Sequence, residues 1–282
     1  MLAFVRYKTQ EERMQYGGFP HGLNTVNSSR IASQNNTQHL NVQSVTPQRT
    51  HSITCNAVHG ARRHWPLECW VVRHGETIEN RTRVIAGQNA SPLTKHGQEQ
   101  ATLLGERLQN VGFDAIYISD LNRTKQTADA IVRAFGPDHR VQAFTDRRLR
   151  EKKCGEGYEG QPIGYIEQMT KLSGQSHRVF RPAGGESWED VSQRAQSFLR
   201  EILSRYCTSP EHKGRPFAGD CNRKILIITH GGFISEFMNL AVGGVPNHAK
   251  NCSLFVLGCA HDHPRGNPQF SLIVSNDVSH VR

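Results

Sequence analysis

Hydrophobic and polar positions fall into regular patterns in this chain only from Pro66 onward. Glu68-Cys69-Trp70-Val71-Val72 reads as a strand that runs straight into Arg73-His74-Gly75-Glu76-Thr77. Residues 79–89 read as an irregular loop. Ser91-Pro92-Leu93-Thr94 then marks a helix start with Thr94 as its cap, and Ala101, Leu104 and Leu108 follow at helical spacing. Gly112 ends that helix, and Phe113 to Ser119 has the β-branched and aromatic content of a second strand. Asp120-Leu121-Asn122-Arg123-Thr124 opens a helix whose apolar face is Ala128, Ile131, Val132 and Phe135.

Val141 to Phe144 predicts a further strand, followed by a charged run from Arg147 to Lys153 and a glycine-rich run from Gly155 to Gly160. Both read as solvated loop. Pro182-Ala183-Gly184-Gly185-Glu186 is a turn into a long helix, with Ser187 and Asp190 spaced as a capping box and Val191, Ala195, Phe198, Ile202 and Leu203 on the apolar face. After a polar loop over 208–222, Lys224 to Thr229 is the plainest buried strand in the chain. It ends in His230-Gly231-Gly232 and opens a helix through Phe233 to Leu240. Ser253 to Leu257 and Phe270 to Val274 predict two closing strands.

Strand and helix alternating through short connections predict a three-layer α/β/α domain around a mostly parallel sheet. Ligands of such sheets collect at the carboxyl ends of the strands. Arg73, His74, Arg123 and His230 each fall just past a strand end. An imidazole can attack phosphorus, and a guanidinium can grip two phosphate oxygens through its planar fork of donors. Arg73-His74-Gly75-Glu76 alone could equally be a solvated turn; it is the recurrence of such residues at several strand ends that argues for a phosphoryl site.

Composition divides the chain. Between Glu12 and Glu68 there is no acidic residue, while Asn, Gln, Ser, Thr and His are abundant, so residues 1–64 read as a disordered basic extension and 65–282 as the folded domain. Seven cations against Glu11 and Glu12 place about +5 of the formal +9 charge in the extension. Its makeup is like that of a mitochondrial transit peptide, but Glu11-Glu12 and the lack of an amphipathic helix count against that. The expected location is the cytoplasm, with the mitochondrion as the alternative should the extension be a transit peptide. Scattered charges with few interleaved aromatics give no nucleic-acid footprint, and no apolar run is long enough to span a membrane. Seven dispersed cysteines without a Cys-x-x-Cys spacing fit free thiols in a reducing compartment. His261-Asp262-His263 lacks the further ligands of a metal site and reads as loop.

Across roughly Pro66 to Asn276 the chain resembles the histidine phosphatase superfamily, also called phosphoglycerate mutase-like. The resemblance rests on Arg73-His74-Gly75-Glu76, Leu93-Thr94 with Gly97 and Gln100-Ala101, Ser119-Asp120-Leu121 with Arg123 and Gln126-Thr127-Ala128, Leu149-Arg150-Glu151, Gly184-Gly185-Glu186, and Thr229-His230-Gly231. It implies a phosphoglycerate mutase-like fold and a two-step transfer without metal or other cofactor. His74 would become phosphohistidine, Arg73, Arg123, His230 and Gly231 would bind the phosphoryl group, and Glu151 would protonate the leaving oxygen. Asn80 and Gln88 would add neutral donors.

Within the superfamily, the Ser119 to Thr127, Leu149 to Lys153 and Pro182 to Glu186 segments are similar to the TIGAR-type fructose-2,6-bisphosphatases, although the stretch from Ser187 to His230 is shorter here. Mutases carry a longer segment before the Gly-Gly-Glu turn and a pair of adjacent arginines; here Arg178 and Arg181 are separated by Val179-Phe180. The expected substrate is a small phosphorylated metabolite, with fructose 2,6-bisphosphate first. A broad-specificity sugar-phosphate or phosphoglycerate phosphatase, a phosphoglycerate mutase and a non-catalytic phosphate-binding module are the alternatives. The sequence leaves oligomeric state open.

Overall fold

Strands β1 (Leu67–Arg73) and β4 (Arg223–Thr229) lie side by side and parallel, with Leu67 opposite Arg223 and Arg73 opposite Thr229. Both can occupy the middle of a sheet because their inner residues are apolar on both faces. In the computed structural model, which describes residues 65–137, 140–207, 223–245, 247–260 and 268–281, six strands form one sheet in the order β3-β2-β4-β1-β5-β6. β2 (Ala115–Ile118) pairs in parallel with both β4 and β3 (Gln142–Thr145). β5 (Leu254–Ala260) runs antiparallel to β1, and β6 (Gln269–Asp277) antiparallel to β5. The mostly parallel α/β/α architecture expected from the sequence is therefore present. The extension, the 208–222 loop and His261-Asp262-His263 lie outside the described residues.

The helices cover the sheet as the side-chain alternation requires. Leu67, Cys69, Val71, Tyr117, Ile225 and Ile227 face one way and pack with Phe198, Phe233 and Phe237 from α5 (Trp188–Cys207) and α6 (Gly231–Val242). Val72, Ile116, Ile118, Leu226 and Ile228 face the other way and pack with Leu104, Leu108, Ala128 and Ile131 from α2 (Lys95–Leu108) and α3 (Asn122–Phe135). The starts of α2 and α5 are fixed as their sequences indicate. Thr94 Oγ1 accepts from Gly97 N at 3.0 Å, and Ser187 and Asp190 exchange side-chain to backbone bonds at 3.2 and 2.7 Å.

Three features depart from the sequence reading. A short helix α1 (Ile78–Thr82), started by a Thr77–Asn80 capping box, overlaps residues 79–89, and a further helix α4 (Tyr165–Ser173) follows the glycine-rich run. α1 buries no residue and α4 only Thr170, so neither packs on the core, although Tyr165, Ile166, Met169 and Leu172 recur at helical spacing in α4. The run from Arg147 is not a solvated loop. A 3₁₀ turn (Arg147–Leu149) buries Leu149 completely, Thr229 Oγ1 donates to the Leu149 carbonyl at 2.6 Å, and Arg194 Nη1 donates to the carbonyls of Arg148 and Arg150.

Helices α2 and α3 touch at Gly105, where a Cβ would meet Ala134 Cβ and Ile131 Cα at 2.8 Å. At an open helical position Gly→Ala would gain about 1 kcal/mol from propensity. Here overpacking outweighs that gain, and Gly105→Ala is expected to lower stability by roughly 1–3 kcal/mol in urea denaturation.

Candidate active site

The turn after β1 is held by backbone and side-chain bonds from four directions. His74 N donates to Thr229 O at 3.0 Å, Gly75 N to Thr127 Oγ1 at 3.1 Å and Glu76 N to Gln100 Oε1 at 3.0 Å, while Cys252 N donates to Arg73 O at 3.1 Å. Two glycines allow the approach of α2 to this turn. A Cβ on Gly75 would lie 2.4 Å from Gly97 O, and one on Gly97 would lie 2.1 Å from Glu76 O. The spacing of Thr94, Gly97 and Gln100 thus has a local cause: it brings the first turn of α2 against the Arg73-His74-Gly75-Glu76 segment.

The His74 ring is buried, and its Nδ1 lies 2.7 Å from Gly75 O. A carbonyl only accepts, so Nδ1 carries the proton and Nε2 keeps its lone pair. Arg123 Nε faces that lone pair at 3.3 Å and lies 3.2 Å from His230 Nδ1, so one N–H is shared between two imidazoles. His230 Nε2 then donates to Ser119 Oγ at 2.8 Å. Burial first, then the charge of Arg123, holds both imidazoles well below the ordinary histidine pKa; Arg73 adds to the effect on each. The rings stand 5.2 Å apart, with the Arg123 guanidinium against both. Arg123 Nη2 donates to Gly87 O at 2.7 Å and Nη1 to Asn89 O at 3.3 Å.

Arg73 comes off the end of β1 and donates through Nη1 to Ala249 O at 2.7 Å. Its Nε is buried and has no hydrogen-bond partner. A Cβ built on Gly231 would stand 3.6 Å from that Nε, so the guanidinium lies along the first residue of α6. Glu151 reaches the same helix start: its carboxylate accepts from Gly232 N at 3.0 Å and from Lys152 N at 2.8 Å. A Cβ on Gly232 would fall 2.1 Å from Glu151 Oε1 and 2.9 Å from Trp188 Cη2, so glycine lets both side chains sit against the helix start. The Glu151 charge acts on both Arg73 and Arg123, which puts it in the same crevice as the imidazoles.

Arg73, His74, Arg123, Glu151, His230 and Gly231 therefore come together. Asn80 and Gln88 lie at the rim in bracing roles. Asn80 Oδ1 closes the cap of α1 and accepts from Asn251 Nδ2 at 2.9 Å, and Gln88 Nε2 donates to the Glu151 carbonyl at 2.9 Å while its Oε1 accepts from Arg150 at 3.1 Å. Lys152 points inward, with Nζ 5.5 Å from the centre of the Trp188 ring, and burial lowers its pKa.

Sequence reasoning missed several supporting residues. Thr127 and Ser119 lie inside quoted motifs and were legible as positions, though not as bonds. Asn251, which donates to the His74 carbonyl at 3.0 Å, and Asn276, which accepts from Lys250 N at 2.9 Å and donates to His248 O at 3.0 Å, carry no local signal. Their roles arise only when β5 and β6 fold back beside β1. Among the described residues no group of three His, Cys, Asp or Glu side chains could hold a metal ion, and no helix is long and apolar enough to cross a membrane.

Residues 69–267, well over half of the chain, match the histidine phosphatase superfamily (branch 1). The chain belongs to this superfamily. Over 136 residues, 48% of this chain and 49% of the relative, it is 40% identical to the fructose-2,6-bisphosphatase TIGAR of Xenopus tropicalis. It spans about half the length of several such TIGAR relatives. It is 34% identical to the probable phosphoglycerate mutase GpmB of Yersinia enterocolitica over 198 residues, covering 67% of this chain and 83% of that one. Among solved structures, the chain superimposes on YhfR of Bacillus stearothermophilus with a TM-score of 0.61 at 28% identity, covering 77% of this chain and all of the other. The mycobacterial glucosyl-3-phosphoglycerate phosphatase gives 0.60 at 25% identity, covering 74% and 98%.

The neutral histidines make stability depend on pH. In the unfolded chain their imidazoles take up protons below about pH 6.5, whereas the fold keeps them neutral. The unfolded state therefore binds more protons, so stability is full above that pH and falls as pH drops through it. The urea midpoint is expected to fall between about pH 7.5 and 5.5, and a His74→Gln/His230→Gln double variant is expected to lose less over the same interval.

Proposed function

We propose that this chain is a metal-independent phosphatase that works through a phosphohistidine on His74. The observation that carries the reading is the His74 ring itself, with Nδ1–H fixed on Gly75 O and a bare Nε2 facing Arg123. A phosphate ester placed against Nε2 meets Arg123, Arg73 with its unpaired Nε, and His230. The two guanidiniums match the charge spread over the equatorial oxygens during transfer. Nε2 attacks phosphorus, the bond from phosphorus to the leaving oxygen breaks, and the Glu151 carboxyl gives that oxygen a proton. The Glu151 carboxylate then takes a proton from water, the resulting hydroxide attacks the phosphohistidine, and the N–P bond breaks to return neutral His74 and inorganic phosphate.

The substrate of this reading is a small phosphorylated metabolite. Similarity to the TIGAR proteins supports fructose 2,6-bisphosphate, and the mycobacterial phosphatase supports a broader sugar-phosphate or phosphoglycerate ester as the second reading. Hydrolysis is favoured over mutase activity because Arg178 is paired with Glu236 at 2.9 Å and Arg181 with Asp190 at 2.6 Å. Each guanidinium is thus held by a different carboxylate, so the two do not form the adjacent pair that mutases carry. The buried free thiols Cys69, Cys154, Cys207, Cys252 and Cys259 support a reducing compartment, and with it a cytoplasmic location.

Two variants test the steps separately. His74→Ala is expected to lower phosphate release from fructose 2,6-bisphosphate and 4-nitrophenyl phosphate by at least about 10³-fold, with no acid-labile phosphate on the protein. Unchanged release would eliminate His74 as nucleophile. Glu151→Gln is expected to accumulate acid-labile phosphoprotein from 4-nitrophenyl phosphate, whose leaving group needs no proton, because water is no longer activated.

A further inference from the structure

Trp188, the first residue of α5, stands beside the residue proposed to protonate the leaving group. A Cβ on Gly232 would lie 2.1 Å from Glu151 Oε1 and 2.9 and 3.0 Å from Cη2 and Cζ3 of Trp188, so the carboxylate and the edge of the indole meet over the same glycine. The indole is fixed on several sides. Its backbone N donates to Arg178 O at 3.1 Å, its Nε1 to His177 Nε2 at 3.3 Å, the His177 ring lies 5.9 Å away at 35°, and Lys152 Nζ stands over it at 5.5 Å. With Nε1 committed, what the half-buried ring still offers is apolar surface.

Arg178 and Arg181 at this wall are paired with Glu236 and Asp190. Lys152 Nζ lies over the indole itself. An alcohol that takes a proton from Glu151 is therefore within reach of the Trp188 edge.

We propose that Trp188 is a leaving-group platform that stacks on the face of a ring alcohol, making the chain selective for phosphate esters of ring alcohols over those of short acyclic acids. This rests on the reading of Glu151 as proton donor and His74 as nucleophile. A rigid aromatic surface suits a flat or puckered ring with exposed C–H groups, whereas a three-carbon acid presents little area to it.

The test compares kcat/KM for fructose 2,6-bisphosphate, 4-nitrophenyl phosphate and 3-phosphoglycerate. Trp188→Ala is expected to lower the values for the two ring esters at least about tenfold more than that for phosphoglycerate, as loss of one stacking partner would. Trp188→Phe, which keeps a platform and guards against a folding defect in the alanine variant, is expected to stay within about threefold of the parent on ring esters. An equal loss on all three substrates in both variants would overturn the proposal and leave Trp188 a support for Glu151. A parent enzyme that prefers phosphoglycerate while still forming phosphohistidine would also overturn it, with the site reading intact. Absence of acid-labile phosphate from every substrate would instead refute the site reading, and the platform with it.

Discussion

Arg123 is 1% exposed, and its guanidinium is held by two imidazole nitrogens and the carbonyls of Gly87 and Asn89. Placing a cation there is costly unless acceptors surround it, since desolvation of a buried charge amounts to several kcal/mol. The neutral acceptors meet its donors, and the more distant charges of Glu151, Glu79 and Glu159 offset part of the cost. The rest of the site follows from this placement. Two imidazoles beside a fixed cation stay uncharged. The same guanidinium anchors residues 87–89, and through Gln88 it reaches the backbone of Glu151.

The loop that presents Glu151 is itself fixed from three sides. Arg150 grips Asp120 through two bonds of 2.6 Å, Arg194 is bound to Glu186 while donating to the carbonyls of Arg148 and Arg150, and Thr229 donates to Leu149 O. Asp120 precedes Arg123 in the β2–α3 connection, and Thr229 precedes His230 at the end of β4. Glu151 is thus tied to the very connections that carry Arg123 and His230. Fixed dipoles and charges that need no rearrangement are the main physical source of rate enhancement in phosphoryl transfer.

This organisation explains what could be read from the sequence. β1, β4 and helices α2, α3, α5 and α6 write their burial directly as apolar runs or stripes, so the parallel sheet and the convergence of Arg73, His74, Arg123 and His230 were visible without coordinates. Glu151 was visible only through its family motif, because the surrounding cations look like solvated loop until Leu149 and Arg194 are seen packed. Helices α1 and α4 were missed since neither faces the core. The roles of Asn80 and Gln88 depend on which neighbours fold against them. Asn80 accepts from Thr77 N and Asn251 through Oδ1, bonds that do not use its Nδ2, while both ends of the Gln88 amide are bonded to Arg150 and the Glu151 backbone.

The back of the site shows the same dependence over a longer range. Asn276, in left-handed backbone near the end of β6, brackets Ala249 by bonding to residues on either side of it, and Ala249 O receives Arg73 Nη1. The strand farthest from the nucleophile in that half of the sheet therefore sets the direction of its neighbouring guanidinium. With Nη1 held and Nε buried without a partner, Arg73 carries an unsatisfied donor that costs roughly 1–3 kcal/mol. The fold thus keeps an unpartnered donor at the carboxyl end of β1, next to His74.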